Sequence, residues 1–205
     1  INIEDSAPVI GKVDEDELPG GITDGDAQTT TVSGSLVELL VGTNTGQFSL
    51  DSTPAAMPSL TSDGVAVTYQ FVNNTLTAMA GALTVFTLVV QTSGAYTFTL
   101  LGPLDHSNSN GDDNEILTLN LTDAIQASDG VNPLPLVGDL LIQVEDDIPA
   151  ILDRSNLVYA NSSNPVGGTG VFDYSTGADT RGTGPFSAVD SDFKAITLSG
   201  TVGGV

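Results

Sequence analysis

Cysteine and tryptophan are absent from this 205-residue chain, histidine occurs once, and lysine and arginine together number only 4. Without cysteine, neither a disulfide framework nor a thiolate metal site can form. Four cationic side chains face 26 Asp and Glu, which leaves a formal charge of −22. A surface of that sign repels nucleic acid and anionic membranes, so neither is expected as a partner. No segment reaches the ~18–20 consecutive apolar residues of a membrane span. Direct membrane insertion is therefore not expected. Aromatics make up only 5% of the chain, and acidity with few aromatics can signal disorder. That reading fails here, because a hydrophobic fraction of 40% is gathered into dense runs.

Those runs are short and rich in Val, Leu, Thr and aromatics, and they are bounded by Gly, Asn, Asp, Ser and Pro. Strands are predicted at 35–41, 65–71, 83–90, 95–101, 116–122 and 138–144. The clearest hairpin joins 83–90 to 95–101 through Gln91 to Gly94. In its second arm Tyr96, Phe98 and Leu100 alternate with Thr97 and Thr99, giving one buried and one wet face. No segment of helical length shows a 3.6-residue period. Short strands without intervening helices predict an all-β antiparallel sandwich of the Ig-like kind.

Two acidic stretches resemble each other. Glu4-Asp5-Ser6-Ala7-Pro8-Val9-Ile10 recurs as Glu145-Asp146-Asp147-Ile148-Pro149-Ala150-Ile151. A repeat of that length is a whole folded module rather than a solenoid turn. The expected organisation is a sandwich at residues 1–147, followed by the first part of a second β module at 148–205. The second stretch is rich in Gly, Ser, Thr and Asn before a strand-like run at 195–202. It is too short to close a sandwich like the first, so it is expected to be split or truncated. The ends, Ile1 and Gly203-Gly204-Val205, suggest a slice of a longer array.

Strand direction predicts where the acids go. The last strand of the first module runs toward the exit linker, so Glu145, Asp146 and Asp147 lie at the far pole. An antiparallel partner at 116–122 brings Asp112, Asp113 and Glu115 there, and the 95–101 arm delivers Asp105 and His106. Asp190 and Asp192 of the second module are placed to close the site from the other side. Glu4, Asp5, Asp14, Asp16, Asp24 and Asp26 are expected at the opposite, entry pole, with Asp129-Gly130. Converging carboxylates demand a counter-charge, and Ca²⁺ takes about six to eight oxygen ligands in flexible geometry. One histidine and no cysteine argue against zinc. The competing reading is that acids and glycines simply populate solvated turns. Local signatures add little: His106-x-Asn108-x-Asn110-Gly111 lacks the first Asp of an EF-hand loop, and Gly167-Gly168-Thr169-Gly170-Val171-Phe172-Asp173 displaces the Asp of the Ca²⁺-binding nonapeptide.

Enzymatic activity is not expected. Paired carboxylates can hydrolyse glycosides, but these acids fall in turns, and neither a nucleophile elbow nor a metallohydrolase motif occurs. Direct binding of a carbohydrate or peptide by this fragment is the alternative function. Tyr69, Tyr96, Phe86 and Phe98 look like core, and Tyr159, Phe172, Tyr174 and Phe186 form the only aromatic cluster in irregular sequence.

Phe86-Thr87-Leu88, the run from Ser93-Gly94-Ala95-Tyr96 to Gly102-Pro103-Leu104-Asp105-His106, and Ile116-Leu117-Thr118-Leu119 resemble the Ig-like repeats of very large RTX adhesins secreted by bacterial type I systems. The acidic linker Val144 to Pro149 and Asp14-Glu15-Asp16-Glu17-Leu18-Pro19-Gly20-Gly21 fit the same pattern. The resemblance covers residues 1–151. Residues 152–205 look more like the opening half of a split domain that flanks ligand-binding insertions in such adhesins. The resemblance implies a Ca²⁺-rigidified extender module on the surface of a Gram-negative cell. Its partners would be adjacent domains of the same polypeptide and, through a neighbouring domain, ligands on host or bacterial cells during attachment or biofilm formation. Asp123 to Gly130 departs from the Asp-dense turn expected of that family, which puts a metal site there in doubt.

Overall fold

The computed structural model describes residues 7–40, 46–106, 115–147, 150–154, 172–175 and 177–178. The strands are β1 (Val9–Asp14), β2 (Thr31–Ser35), β3 (Gln47–Leu50), β4 (Thr61–Ser62), β5 (Val65–Val72), β6 (Thr75–Ala80) and β7 (Leu83–Val90). They continue as β8 (Ala95–Leu100), β9 (Ile116–Asn120), β10 (Ile125–Ser128), β11 (Pro133–Leu134), β12 (Leu140–Glu145), β13 (Ala150–Arg154) and β14 (Phe172–Ser175). Two single 3₁₀ turns, Val37–Leu39 and Thr122–Ala124, are the helical elements among the described residues.

The fold is an all-β sandwich. One layer is a six-stranded antiparallel sheet in the order β2-β8-β7-β6-β5-β4. Facing it are two three-stranded sheets, β1-β12-β9 and β11-β10-β3. Inward residues of both layers form one core, with Leu76, Phe86, Leu88, Phe98 and Leu100 from the large sheet against Leu119, Leu140, Ile142 and Val144 from the other. Phe86 is its centre. Its ring lies 5.0 Å from that of Phe98 and 6.2 Å from that of Tyr69, tilted at 34° and 54°, within the centroid distances at which aromatic pairs attract. Burial pushes the Tyr69 hydroxyl up to about 12, and that hydroxyl donates to the Pro58 carbonyl at 2.6 Å.

The outward face of the large sheet is hydroxylated. Register aligns Thr77, Thr87, Thr99 and Thr31 across β6, β7, β8 and β2, and Ser33 Oγ meets Thr97 Oγ1 at 2.9 Å. Threonine suits this position because its branched Cβ favours strands while its hydroxyl accepts water.

The predicted 83–90 and 95–101 hairpin forms as β7 and β8, and the antiparallel pairing of 116–122 with the last strand forms as β9 with β12. Strands β3, β4, β10, β11, β13 and β14 form where none was predicted, and three further features differ. The segment 35–41 does not continue as a strand: β2 ends at Ser35 and the chain turns through Val37–Leu39. Leu36, Leu39 and Leu40 are all buried, and that spacing suits a tight turn rather than alternation. The second difference is β6, whose Thr-Leu-Thr-Ala-Met-Ala pattern is weak in strand formers yet holds the middle of the sheet. The third is β1, which pairs parallel to β12 from Val9↔Leu140 to Asp14↔Glu145, so the sandwich is not purely antiparallel. The strand expected at 195–202 lies outside the described residues.

Truncating Phe86 to Ala removes the ring at the centre of both aromatic contacts. It should cost about 3–5 kcal/mol, read as a lowered urea midpoint at unchanged slope. A loss under about 1 kcal/mol would show that the core does not pivot on this residue.

Candidate metal centre

The parallel β1–β12 pair decides where the acids meet. Strands running in the same direction end at the same pole, and both of these end in a carboxylate, Asp14 beside Glu145. The next backbone link continues the pairing, with Glu15 N–H donating to the Glu145 carbonyl at 3.1 Å. Asp14, Asp16, Asp24 and Asp26 therefore belong to the far pole with the exit linker, not to the entry pole that strand counting assigned them. The cause is β1 itself: it carries the chain the length of the sandwich before the acidic loop begins.

That loop folds over the pole by turns. Leu18 N–H donates to the Glu15 carbonyl at 2.9 Å and Gly21 N–H to the Leu18 carbonyl at 2.9 Å. Gly21 packs against the Asp16 backbone so closely that a Cβ would overlap its carbonyl, so only glycine fits. Carboxylates then accept successive backbone donors: Asp14 Oδ1 from Asp16 at 3.0 Å, Asp16 Oδ2 from Asp24 at 2.8 Å, and Asp24 Oδ1 from Asp26 at 2.7 Å. Asp26 accepts from the Gln28 backbone at 2.6 Å and from its Nε2 at 2.8 Å, and that same Nε2 donates to Glu145.

Two groups of ligand atoms result, each within 4.8 Å: Asp14 with Asp26 and Glu145, and Glu15 with His106 and Asp146. In the second, Glu15 Oε1 accepts from Leu104 N–H at 2.8 Å and lies 3.4 Å from His106 Nε2, which is 4.0 Å from Asp146 Oδ1. Asp146 N–H donates to the Glu115 carbonyl at 3.0 Å. Between the loop and the linker is a cavity of about 110 Å³ lined by Asp14, Asp16, Asp24, Glu145, Asp146 and Asp147, with Ile22, Thr23 and Ala150.

Electrostatic stress concentrates here. Two unit charges at the group separation repel by about 3 kcal/mol at an effective dielectric near 20. Asp14 is only 3% exposed, and its carboxyl is raised to about 7. Burial is the main cause, opposed by the Asp16 N–H and reinforced by repulsion from Asp16 and Glu145. Burial also raises Asp146, with His106 opposing and Glu115 and Asp147 adding to it. Asp16 Oδ1 and Asp146 Oδ1 are buried oxygens with no hydrogen-bond donor. Orphaned, desolvated carboxylate oxygens beside ionisable neighbours are the environment a divalent cation relieves.

Comparison of the chain with protein families, curated proteins and solved structures finds no match. The chemistry of the site rests on its own residues.

Of the residues singled out from sequence, the structure gathers Asp14, Asp16, Asp24, Asp26, Glu145, Asp146 and Asp147 at one pole. Asp105 reaches that end but turns away, accepting from Gly64 N–H at 2.9 Å and closing the β4–β5 turn. It is exposed and takes no part in either group. Glu4, Asp5, Asp112, Asp113, Asp190 and Asp192 lie outside the described residues. Sequence reasoning did not single out Glu15 and His106 as ligands. The β8 continuation through Gly102-Pro103-Leu104 places His106 correctly, but only the buried Glu15 opposite gives its ring a role. Asp129 sits at the other end and is held by Val131 and Asn132 N–H at 2.8 and 2.6 Å, which lowers its carboxyl.

The raised Asp14 carboxyl has a definite consequence without metal. Its folded value of about 7 lies above the ordinary 3.8, so between those limits the folded state holds a proton that the unfolded chain has released. Metal-free stability should therefore fall as pH rises from about 4 to about 7 and level off above, with Asp146 acting in the same direction. Urea midpoints in chelator at about pH 5 and pH 7.5 measure this, and Asp14→Asn should remove most of the slope. A metal-free midpoint that rises across that interval would refute the assignment.

Proposed function

We propose that this chain is a spacer module of a bacterial surface adhesin, stiffened by Ca²⁺ at its exit pole and projecting a ligand-binding domain from the cell. The observation that carries the metal reading is the convergence of Asp14, Asp16, Glu145 and Asp146 around one cavity, two of them with donorless buried oxygens, with Asp26 grouped beside Asp14 and Glu145. The donors of the Asp14 group are all oxygen, which suits a hard cation with a high and flexible coordination number. Asp14, Asp16, Asp26 and Glu145 would hold the ion, with Asp146 contributing from the linker side. Ca²⁺ there would supply the charge that four basic side chains in the whole chain cannot.

The spacer role rests on where these residues sit. Asp14 to Asp26 belong to a loop of the sandwich, whereas Asp146 belongs to the segment leading to β13. A cation shared between them ties the linker to the module that precedes it. With its acids uncompensated, such a linker is mutually repelling and free to move relative to the sandwich; bridged by the ion, it is held in one arrangement. An affinity of ~10⁻⁴–10⁻³ M, usual for extracellular Ca²⁺ modules, would leave the site empty in a cytoplasm and filled outside. That fits an adhesin that folds after export, as does the lack of cysteine.

Calorimetric titration should show Ca²⁺ binding in that range to the wild-type chain and none to a chain carrying Asp14→Asn with Glu145→Gln. Small-angle scattering should show a narrower distribution of maximum dimension with Ca²⁺ than with chelator. Identical scattering in the two conditions would overturn the stiffening role even if the ion binds.

A further inference from the structure

The β13–β14 pair leaves the sandwich at the linker and comes back to it. Ala150, the first residue of β13, is in register with Ser175, the last of β14, so the turn at Gly177–Ala178 returns to the exit pole. There it meets Asp147, which is 5% exposed. One oxygen of that carboxylate, Oδ1, accepts from Ile22 N–H at 3.3 Å, and the other, Oδ2, accepts from Ala178 N–H. One donor belongs to the acidic loop of the sandwich and the other to the chain beyond the linker.

We propose that Asp147 is a metal-independent latch that docks the following module on the sandwich by clamping one backbone N–H from each side. This deepens the stiffened joint proposed above and rests on that reading for its mechanical purpose, but it assigns Asp147 to backbone donors rather than to the cation. The surfaces around the latch are shaped for contact. Gly177 adopts φ +78°, a Cβ on it would lie 2.7 Å from Asp147 Cγ, and its carbonyl oxygen would sit 3.5 Å from a Cβ on Gly20. Ser175 Oγ accepts from Gly177 N–H at 3.2 Å and shapes the turn. Ala178 packs on the core of the sandwich, so an apolar contact accompanies the polar one. The receiving surface is the Leu18-Pro19-Gly20-Gly21-Ile22 turn, where two glycines bring backbone close and Ile22 supplies its amide.

The acidic repeat makes the latch specific to this junction. Glu145 and Asp146 correspond to Glu4 and Asp5, but Asp147 corresponds to Ser6. A serine has one oxygen where the carboxylate has two, so it cannot clamp two donors in this way. The metal-binding acids recur between the stretches, and the latch acid does not.

Amide hydrogen exchange on the full chain separates the latch from the metal. In wild type, Ile22 and Ala178 amides should be protected with Ca²⁺ and equally with chelator. In Asp147→Ala, both should exchange about tenfold faster or more, as for loss of a hydrogen bond to a charged acceptor, while amides of β7 and β8 stay unchanged. Gly177→Ala approaches from the other side: its Cβ displaces the carboxylate, so Ala178 should lose protection with the sandwich intact, even if Asp147→Ala fails to fold. Unchanged Ala178 exchange in either variant would overturn the proposal, as would loss of Ala178 protection in wild type on chelation alone. Absence of any Ca²⁺ effect on Asp14, Asp16 and Glu145 amides would count against the metal reading and leave the latch standing.

Discussion

The parallel pairing of β1 with β12 is the constraint on which the rest of this structure depends. Strands aligned in the same direction bring their C-terminal ends together, and here each end is acidic. Six residues of register, closing on Asp14 beside Glu145, commit the chain to packing like charges at one pole. The local structure of that pole manages the resulting repulsion. Backbone amides of the loop are turned toward the carboxylates, His106 is set between Glu15 and Asp146, and Asp14 is desolvated until its carboxyl approaches neutrality.

Acids elsewhere show what an ordinary turn carboxylate looks like in the same chain. Asp51 and Asp129 accept backbone donors in solvent, and those donors lower their carboxyls. Asp105 caps the neighbouring turn through Gly64. Asp14 and Asp146 are shifted the opposite way, and burial is the first cause in both. Solvated turns account for the first set and not for the second. Within the pole there is a further division: Asp147 spends its two oxygens on amides from either side of the linker, while Asp16 and Asp146 each keep a buried oxygen without a donor.

Much of the sandwich was legible in the residues. Alternation of Tyr96, Phe98 and Leu100 with threonine marked β8 and its buried face, and the turn at Gln91 to Gly94 marked the hairpin. Direction alone then carried His106, Glu115 and the exit linker to one pole. Elements with weak local signals were not legible. In β1, Gly11 and Lys12 interrupt the apolar run, and in β6 alanine dilutes the pattern. Missing β1 had the larger effect, because it placed Asp14, Asp16, Asp24 and Asp26 at the wrong end of the module.

Composition and periodicity by themselves determined the all-β class, the excess of negative charge and the supply of carboxylate oxygens, because these depend on side-chain chemistry and nearest neighbours along the chain. Only the tertiary structure decided which acids share a cavity, which cap solvated turns and which clamps the linker. Those outcomes depend on pairing between strands about 130 residues apart in sequence, and no local pattern records whether a first strand lies parallel or antiparallel to a last one.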